Sequence, residues 1–127
     1  MSALVLDAGA LIAIDRDDRA VVAQLRVASR NGLDLRTNAM VVAQVWRDSR
    51  GRQARLAMLL QAVDVCLIDQ AAGREAGELL GKAGTSDPID ATVILLAQHG
   101  DRILTSDPDD VRHLAATAGI SAIIIGC

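Results

Sequence analysis

The stretch Ala3-Leu4-Val5-Leu6-Asp7-Ala8-Gly9-Ala10-Leu11 decides how the rest of the chain is read. Four apolar residues in a row fit a short strand buried on both faces. An aspartate closes it, and a helix-forming run follows at once. A buried strand that feeds straight into a helix opens a βα unit. Repeated units of that kind build an α/β fold around a mostly parallel sheet. Such sheets bind ligands at the carboxyl ends of their strands, near a switch in strand order. Asp7 stands at one of those ends.

Working outward, the alternation continues to the end of the chain. Helices are predicted from about Ala8 to Ile14 and from about Asp18 to Ser29, the second capped near Asp17 and stopped by Asn31-Gly32. Leu33–Arg36 reads as a strand. Thr37 or Asn38 then caps a helix predicted to reach about Asp48, and an amphipathic helix covers roughly Arg52–Gln61. Val63–Ile68 is a strand and about Gln70–Lys82 a helix. After the loop Gly84-Thr85-Ser86, Asp87 and Pro88 open a helix running to about His99, where Gly100 stops it. Arg102–Thr105 is a strand, Asp109–Ala118 a helix and Ser121–Ile125 a last strand. The expectation is one α/β domain over residues 1–127, with a central sheet of about five strands flanked by helices. No linker, repeat or low-complexity segment interrupts it.

Composition narrows the function classes. A chain of 127 residues predicts one domain. With 51% hydrophobic residues and a mean hydropathy of +0.30, a sizeable core can form. One Trp and no Phe or Tyr means that core is aliphatic, and that single-stranded nucleic acid cannot be held by stacking on aromatic rings. The net charge of −3 argues against strong non-specific nucleic-acid binding unless positive charge is locally concentrated. Cys66 and Cys127 fit no zinc spacing and read as free thiols of a reducing cytosol. Residues 3–6 are too short a run for a signal peptide or membrane span, so a cytoplasmic protein with no membrane role is expected.

Four acidic phrases carry the chemistry: Leu6-Asp7-Ala8, Ser86-Asp87-Pro88, Ile89-Asp90-Ala91 and Thr105-Ser106-Asp107. Each lies where a strand ends or a helix begins. If the first and fourth strands are neighbours, Asp7 and Asp107 face each other across one crevice. Asp87 and Asp90, three residues apart, share a helix face, so that one or both could point into the same crevice. Gathered carboxylates repel: at ~4 Å and an effective dielectric of ~20, each pair costs roughly 4 kcal/mol. A divalent cation relieves that repulsion, and an oxygen-only donor set suits Mg²⁺ or Mn²⁺.

Each residue also has an ordinary structural explanation. Asp7 could be a helix N-cap, Ser86-Asp87-Pro88 a usual helix opening, and Asp107-Pro108 a turn. Asp109 and Asp110 are expected to cap the following helix. Thr105 and Ser106 either bond a ligand carboxylate or phosphate, or shape the turn. Arg47, Arg50, Arg52 and Arg55 form a cluster broken only by Asp48. It is either a solvated helix end or a phosphate-contacting patch beside the metal site. Trp46 belongs to the core or to a partner surface. His99 and His113 have no zinc spacing and read as structural.

These motifs resemble those of the PIN domain, and especially of the VapC-type toxins of bacterial toxin–antitoxin pairs. Val5-Leu6-Asp7-Ala8-Gly9-Ala10-Leu11 resembles the family's first acidic motif, Asp90-Ala91-Thr92-Val93-Ile94 its central Asp-led helix, and Leu104-Thr105-Ser106-Asp107 its last motif. The resemblance spans nearly the whole chain. It implies a Mg²⁺- or Mn²⁺-dependent ribonuclease that leaves 5′-phosphate and 3′-hydroxyl ends, is often a homodimer, and is neutralised by a cognate antitoxin. It implies metal ligation by Asp7, Asp90 and Asp107. It also implies a glutamate in Met40-Val41-Val42-Ala43-Gln44-Val45-Trp46, where this chain has Gln44. Gln keeps a carbonyl oxygen without the charge, and Asp87 is a candidate to restore it. The chain's glutamates, Glu75 and Glu78, lie on a different helix.

Two other functions compete. A catalytically weak PIN-like module would act by binding RNA or protein, with Gln44 as its main support. A receiver-like phosphoacceptor domain is also α/β with clustered aspartates, but it needs a second acid beside the first and a lysine after a late strand. Asp7 has no acidic neighbour, and the one lysine, Lys82, is mid-chain. The absence of a glycine-rich phosphate loop argues against an NTPase.

Overall fold

The computed structural model describes residues 2–47 and 49–127. The elements follow in the order β1 (Ala3–Leu6), α1 (Ala8–Asp15), α2 (Arg19–Arg30), β2 (Asp34–Asn38), α3 (Ala39–Val45), a 3₁₀ turn (Ser49–Gly51), α4 (Ala54–Gln61), β3 (Asp64–Cys66), α5 (Gln70–Ala83), α6 (Pro88–Ile94), β4 (Arg102–Thr105), α7 (Pro108–Ala118) and β5 (Ile123–Gly126). The five strands form one sheet in the order β3-β2-β1-β4-β5, and every pairing is parallel. The sheet is therefore wholly parallel, as short strands joined by helical crossovers require.

From β1 the chain steps outward to β2 and β3, then returns to place β4 and β5 on the other side of β1. The strand order reverses between β1 and β4. Leu4, Val5 and Leu6 pair with Arg102, Ile103 and Leu104, which brings the carboxyl ends of both strands side by side. All four residues of β1 are buried, and Ile103 and Leu104 are fully buried beside them. This aliphatic centre holds the crevice walls in place.

Several predicted boundaries move. Asp18, not Asp17, caps α2, its carboxylate accepting from Ala20 and Val21 amides; Asp17 takes a left-handed turn at φ 58°. The α3 helix ends at Val45, not near Asp48, and Asp48 itself lies outside the described residues. Only Asp64–Cys66 of the predicted strand 63–68 pairs. The helix begun at Pro88 ends at Ile94 rather than His99. The chain tightens at once, the Leu96 amide bonding the Val93 carbonyl and the Ala97 amide the Ile94 carbonyl. Further on, Asp101 Oδ2 accepts the Gln98 amide at 2.9 Å and its own amide bonds the Gln98 carbonyl, folding residues 98–101 into a turn. The other oxygen accepts the Ala3 amide, also at 2.9 Å, anchoring the start of β1. Asp101, at 3% exposure, thus organises the edge of the sheet opposite Asp7. The sequence reading passed over it.

Candidate active site

Three of the four predicted aspartates sit at the reversal point, and the local sequence explains how. Asp7 follows β1 directly. Its amide donates to the Leu104 carbonyl of β4 at 3.2 Å, and its Oδ1 accepts the Ala10 amide at 3.0 Å. It is thus an N-cap, as one reading held, and also a carboxylate of 6% exposure at the crevice. Thr37 of β2 donates its hydroxyl to the Leu6 carbonyl at 2.7 Å, fixing the strand end just before Asp7.

Thr105 ties the two strand ends together. Its side chain is fully buried, hydrogen-bonds to the Asp7 carboxylate, and accepts the Asp107 amide at 2.9 Å. One hydroxyl therefore links Asp7 to the turn that carries Asp107. Ser106 contributes a backbone hydrogen bond to Asp7, while its own side chain is exposed. The approach of α1 to this turn depends on Gly9: a Cβ there would collide with the Ser106 side chain and stand 3.1 Å from its amide nitrogen.

Asp107 occupies the N-cap position of α7 but makes no side-chain cap bond; Asp109 and Asp110, predicted as caps, lie within the first turn. Asp90 lies in the first turn of α6 and is half-buried. Among the described residues no hydrogen bond or ion pair ends on the Asp90 or Asp107 carboxylate. Asp87 is exposed and commits Oδ1 to capping α6 through the Ile89 and Asp90 amides.

Electrostatics shows that these groups share one region. Burial, then the charges of Asp87, Asp107, Asp7 and Asp110, push the Asp90 carboxyl up to about 6. Burial raises the Asp7 carboxyl as well; the bonds from Thr105, Ala10 and Ser106 oppose it, and the Asp107 charge adds to it. The nearby thiol of Cys127 is driven up to about 11 by burial and by Asp7 and Asp18. None of these aspartates belongs to an ion pair among the described residues. The donor set is all oxygen, negative and uncompensated, which fits Mg²⁺ or Mn²⁺ by chemistry. Among the described residues no three His, Cys, Asp or Glu side chains are grouped closely enough to hold an ion as they stand.

Gln44 is exposed on α3. The arginine cluster lies beyond α3: the Arg47 guanidinium donates to the Ala43 and Trp46 carbonyls, and Arg55 pairs with Asp17 at 3.9 Å. Arg50 and Arg52 are exposed. Asp15 and Asp17, at the end of α1, contact this segment through Gln53 and Arg55. Arg55 is therefore separated from Asp7 by the length of α1, about 12 Å for eight residues.

One connection escaped the sequence reading. Asn38 is fully buried; its Oδ1 caps α3 through the Met40 and Val41 amides, both at 3.0 Å. Its Nδ2 donates to Thr92 Oγ1 at 3.1 Å, and Thr92 donates to the Ile89 carbonyl at 2.7 Å. This ties the end of β2 to the α6 turn bearing Asp90. A cap residue was legible at Asn38; its second bond, 54 residues away, was not.

No family model matches the chain, and no curated protein is similar to it in sequence. The fold is PIN-like. A chain of the crystal structure of VapBC2 from Rickettsia felis bound to a DNA fragment from their promoter superposes with a TM-score of 0.70 at 14% identity. The match covers 98% of this chain and 98% of that one. Similarity at that identity carries the architecture, and the chemistry rests on the residues described above. Among the described residues no helix is long and apolar enough to cross a membrane.

Proposed function

We propose that this chain is a Mg²⁺- or Mn²⁺-dependent endoribonuclease, the cytoplasmic toxin of a toxin–antitoxin pair, acting as a homodimer and restrained by a cognate antitoxin protein. One observation carries the reading. Asp7 and Asp107 close adjacent strands where the strand order reverses, and Asp90 lies within reach of both charges with no cationic partner. The PIN-like architecture shared with the VapBC2 chain supports it.

Asp7, Asp90 and Asp107 would hold the ion, with Asp87 offering the oxygen that its cap leaves free. When bound, the ion supplies Lewis acidity, stabilising charge on phosphate oxygens and acidifying water. Thr105 keeps Asp7 and the Asp107 turn in register. Asp90, whose carboxylate oxygens accept no hydrogen bond, would take a proton from the attacking water as the new P–O bond forms; the P–O3′ bond breaks, leaving a 5′-phosphate and a 3′-oxygen that is protonated from solvent.

The test is cleavage of RNA by purified protein. Activity should require Mg²⁺ or Mn²⁺, vanish with EDTA, and be lost in Asp7→Asn and Asp90→Asn variants that still fold. Cleavage by Asp90→Asn at the parent rate would refute the assignment. Gln44 favours a second reading, a catalytically weak module that binds RNA or protein; folded protein that binds RNA without metal-dependent cleavage would select it.

A further inference from the structure

The stripe of three arginines on α2 takes no part in the site described above. Val21, Leu25 and Ala28 turn inward. Arg26 and Arg30 follow Arg19 by seven and eleven residues, close to two and three full turns, so the three share one face over about 16 Å. With Asp17, Val22, Ala23 and Val27 they line an open cleft of about 520 Å³.

This positive charge is not neutralised locally. The α2 helix contains no acidic residue. Asp17, the one carboxylate lining the cleft, pairs with Arg55. Asp18 spends its Oδ1 on the helix cap. Among the described residues Arg19, Arg26 and Arg30 enter no ion pair. In a protein of net charge −3, such a stripe is a local reversal of sign.

The α2 helix lies against the sheet, where Ala23, Val27 and Ala28 line a cavity with Leu4, Arg102 and Ile125. It ends near Asp34, which pairs with Ala3 at the amino edge. The three arginines are exposed along the side of the molecule. A second copy packed face to face would set arginine against arginine. Regularly spaced guanidinium forks fit a linear polyanion, bonding phosphate oxygens in pairs.

We propose that Arg19, Arg26 and Arg30 form a phosphate-backbone track for single-stranded RNA. The choice of RNA rests on the nuclease reading, but the test does not require cleavage.

RNA binding is measured in EDTA across a salt series, for the parent and for Arg26→Ser/Arg30→Ser. Each lost phosphate contact to a single strand lowers the slope of log K against log salt by about 0.7, so the double variant should lose about 1.4. If the two proteins bind equally at 1 M salt, the loss amounts to about 25-fold at 0.1 M. Arg74→Ser/Arg112→Ser, away from the stripe, should keep the parent slope. An unchanged slope for Arg26→Ser/Arg30→Ser, with an unchanged melting temperature, overturns the proposal. So does a loss confined to duplex DNA of equal length, or lost binding to polyglutamate with RNA binding intact, which assigns the stripe to an acidic protein partner. Failure to cleave RNA in Mn²⁺, with the slope reduced as expected, refutes the nuclease reading and leaves the track standing.

Discussion

Replacing Asp90 by asparagine should stabilise the metal-free protein, and only above about pH 4. Burial and four neighbouring aspartates raise its carboxyl from an ordinary 3.8 to about 6. Below the unfolded value the group is protonated in both states and costs nothing. Between about pH 4 and 6 the unfolded chain gives up the proton first, so the folded state binds more protons and loses stability as pH rises. Above about pH 6 the penalty is constant. The difference from 3.8 to about 6 corresponds to about 3 kcal/mol. Asp90 is only half-buried, and solvent screening cuts this to about 1–2 kcal/mol. Asparagine keeps the shape and removes the charge. At pH 7.5 in EDTA the variant should melt several degrees above the parent, since 1 kcal/mol shifts a domain of this size by about 3–6 °C. At pH 4 the two should melt together. Thermal melts from pH 4 to 8 measure the whole curve. A gain independent of pH, or lower stability at pH 7.5, would refute the electrostatic account of the crevice.

Gly9→Ala should destabilise the fold by about 1–2 kcal/mol, because overpacking against the Ser106 turn outweighs the helix preference of alanine; adding Ser106→Gly should recover most of the loss in urea denaturation. Asp101→Ala leaves the buried Ala3 amide and the part-buried Gln98 amide without their acceptor and should cost about 2–3 kcal/mol, read as a lower urea midpoint at constant slope. Gln44→Glu should tighten Mn²⁺ binding in calorimetry if its side chain reaches the crevice. Equal affinity and equal melting in EDTA would place Gln44 outside the site.

Asp7, Asp87, Asp90 and Asp107 were all readable as candidates, because each punctuates a strand or helix and sequence order alone reveals punctuation. The expected neighbourhood of the first and fourth strands is realised in the pairing of β1 with β4. The arginines were harder to read. Arg47, Arg50 and Arg52 are dense in sequence and exposed, with the Arg47 guanidinium held by the Ala43 and Trp46 carbonyls. Arg19, Arg26 and Arg30 are dilute in sequence and form one stripe, because helical periodicity brings residues seven and eleven apart onto one face.

By itself, then, the order of residues determined the alternation of buried strands and amphipathic helices, since local periodicity and capping chemistry act within a few residues. It also placed aspartates at strand ends and helix starts. Only the tertiary structure decided which of them share an electrostatic field, which carboxylates remain free of hydrogen bonds, and that Thr105 bonds to Asp7 and Asn38 to Thr92. It also assigned Asp101 to the opposite edge. Those outcomes depend on sheet order and burial. Both arise from contacts between segments tens of residues apart, whose pairing no local pattern encodes.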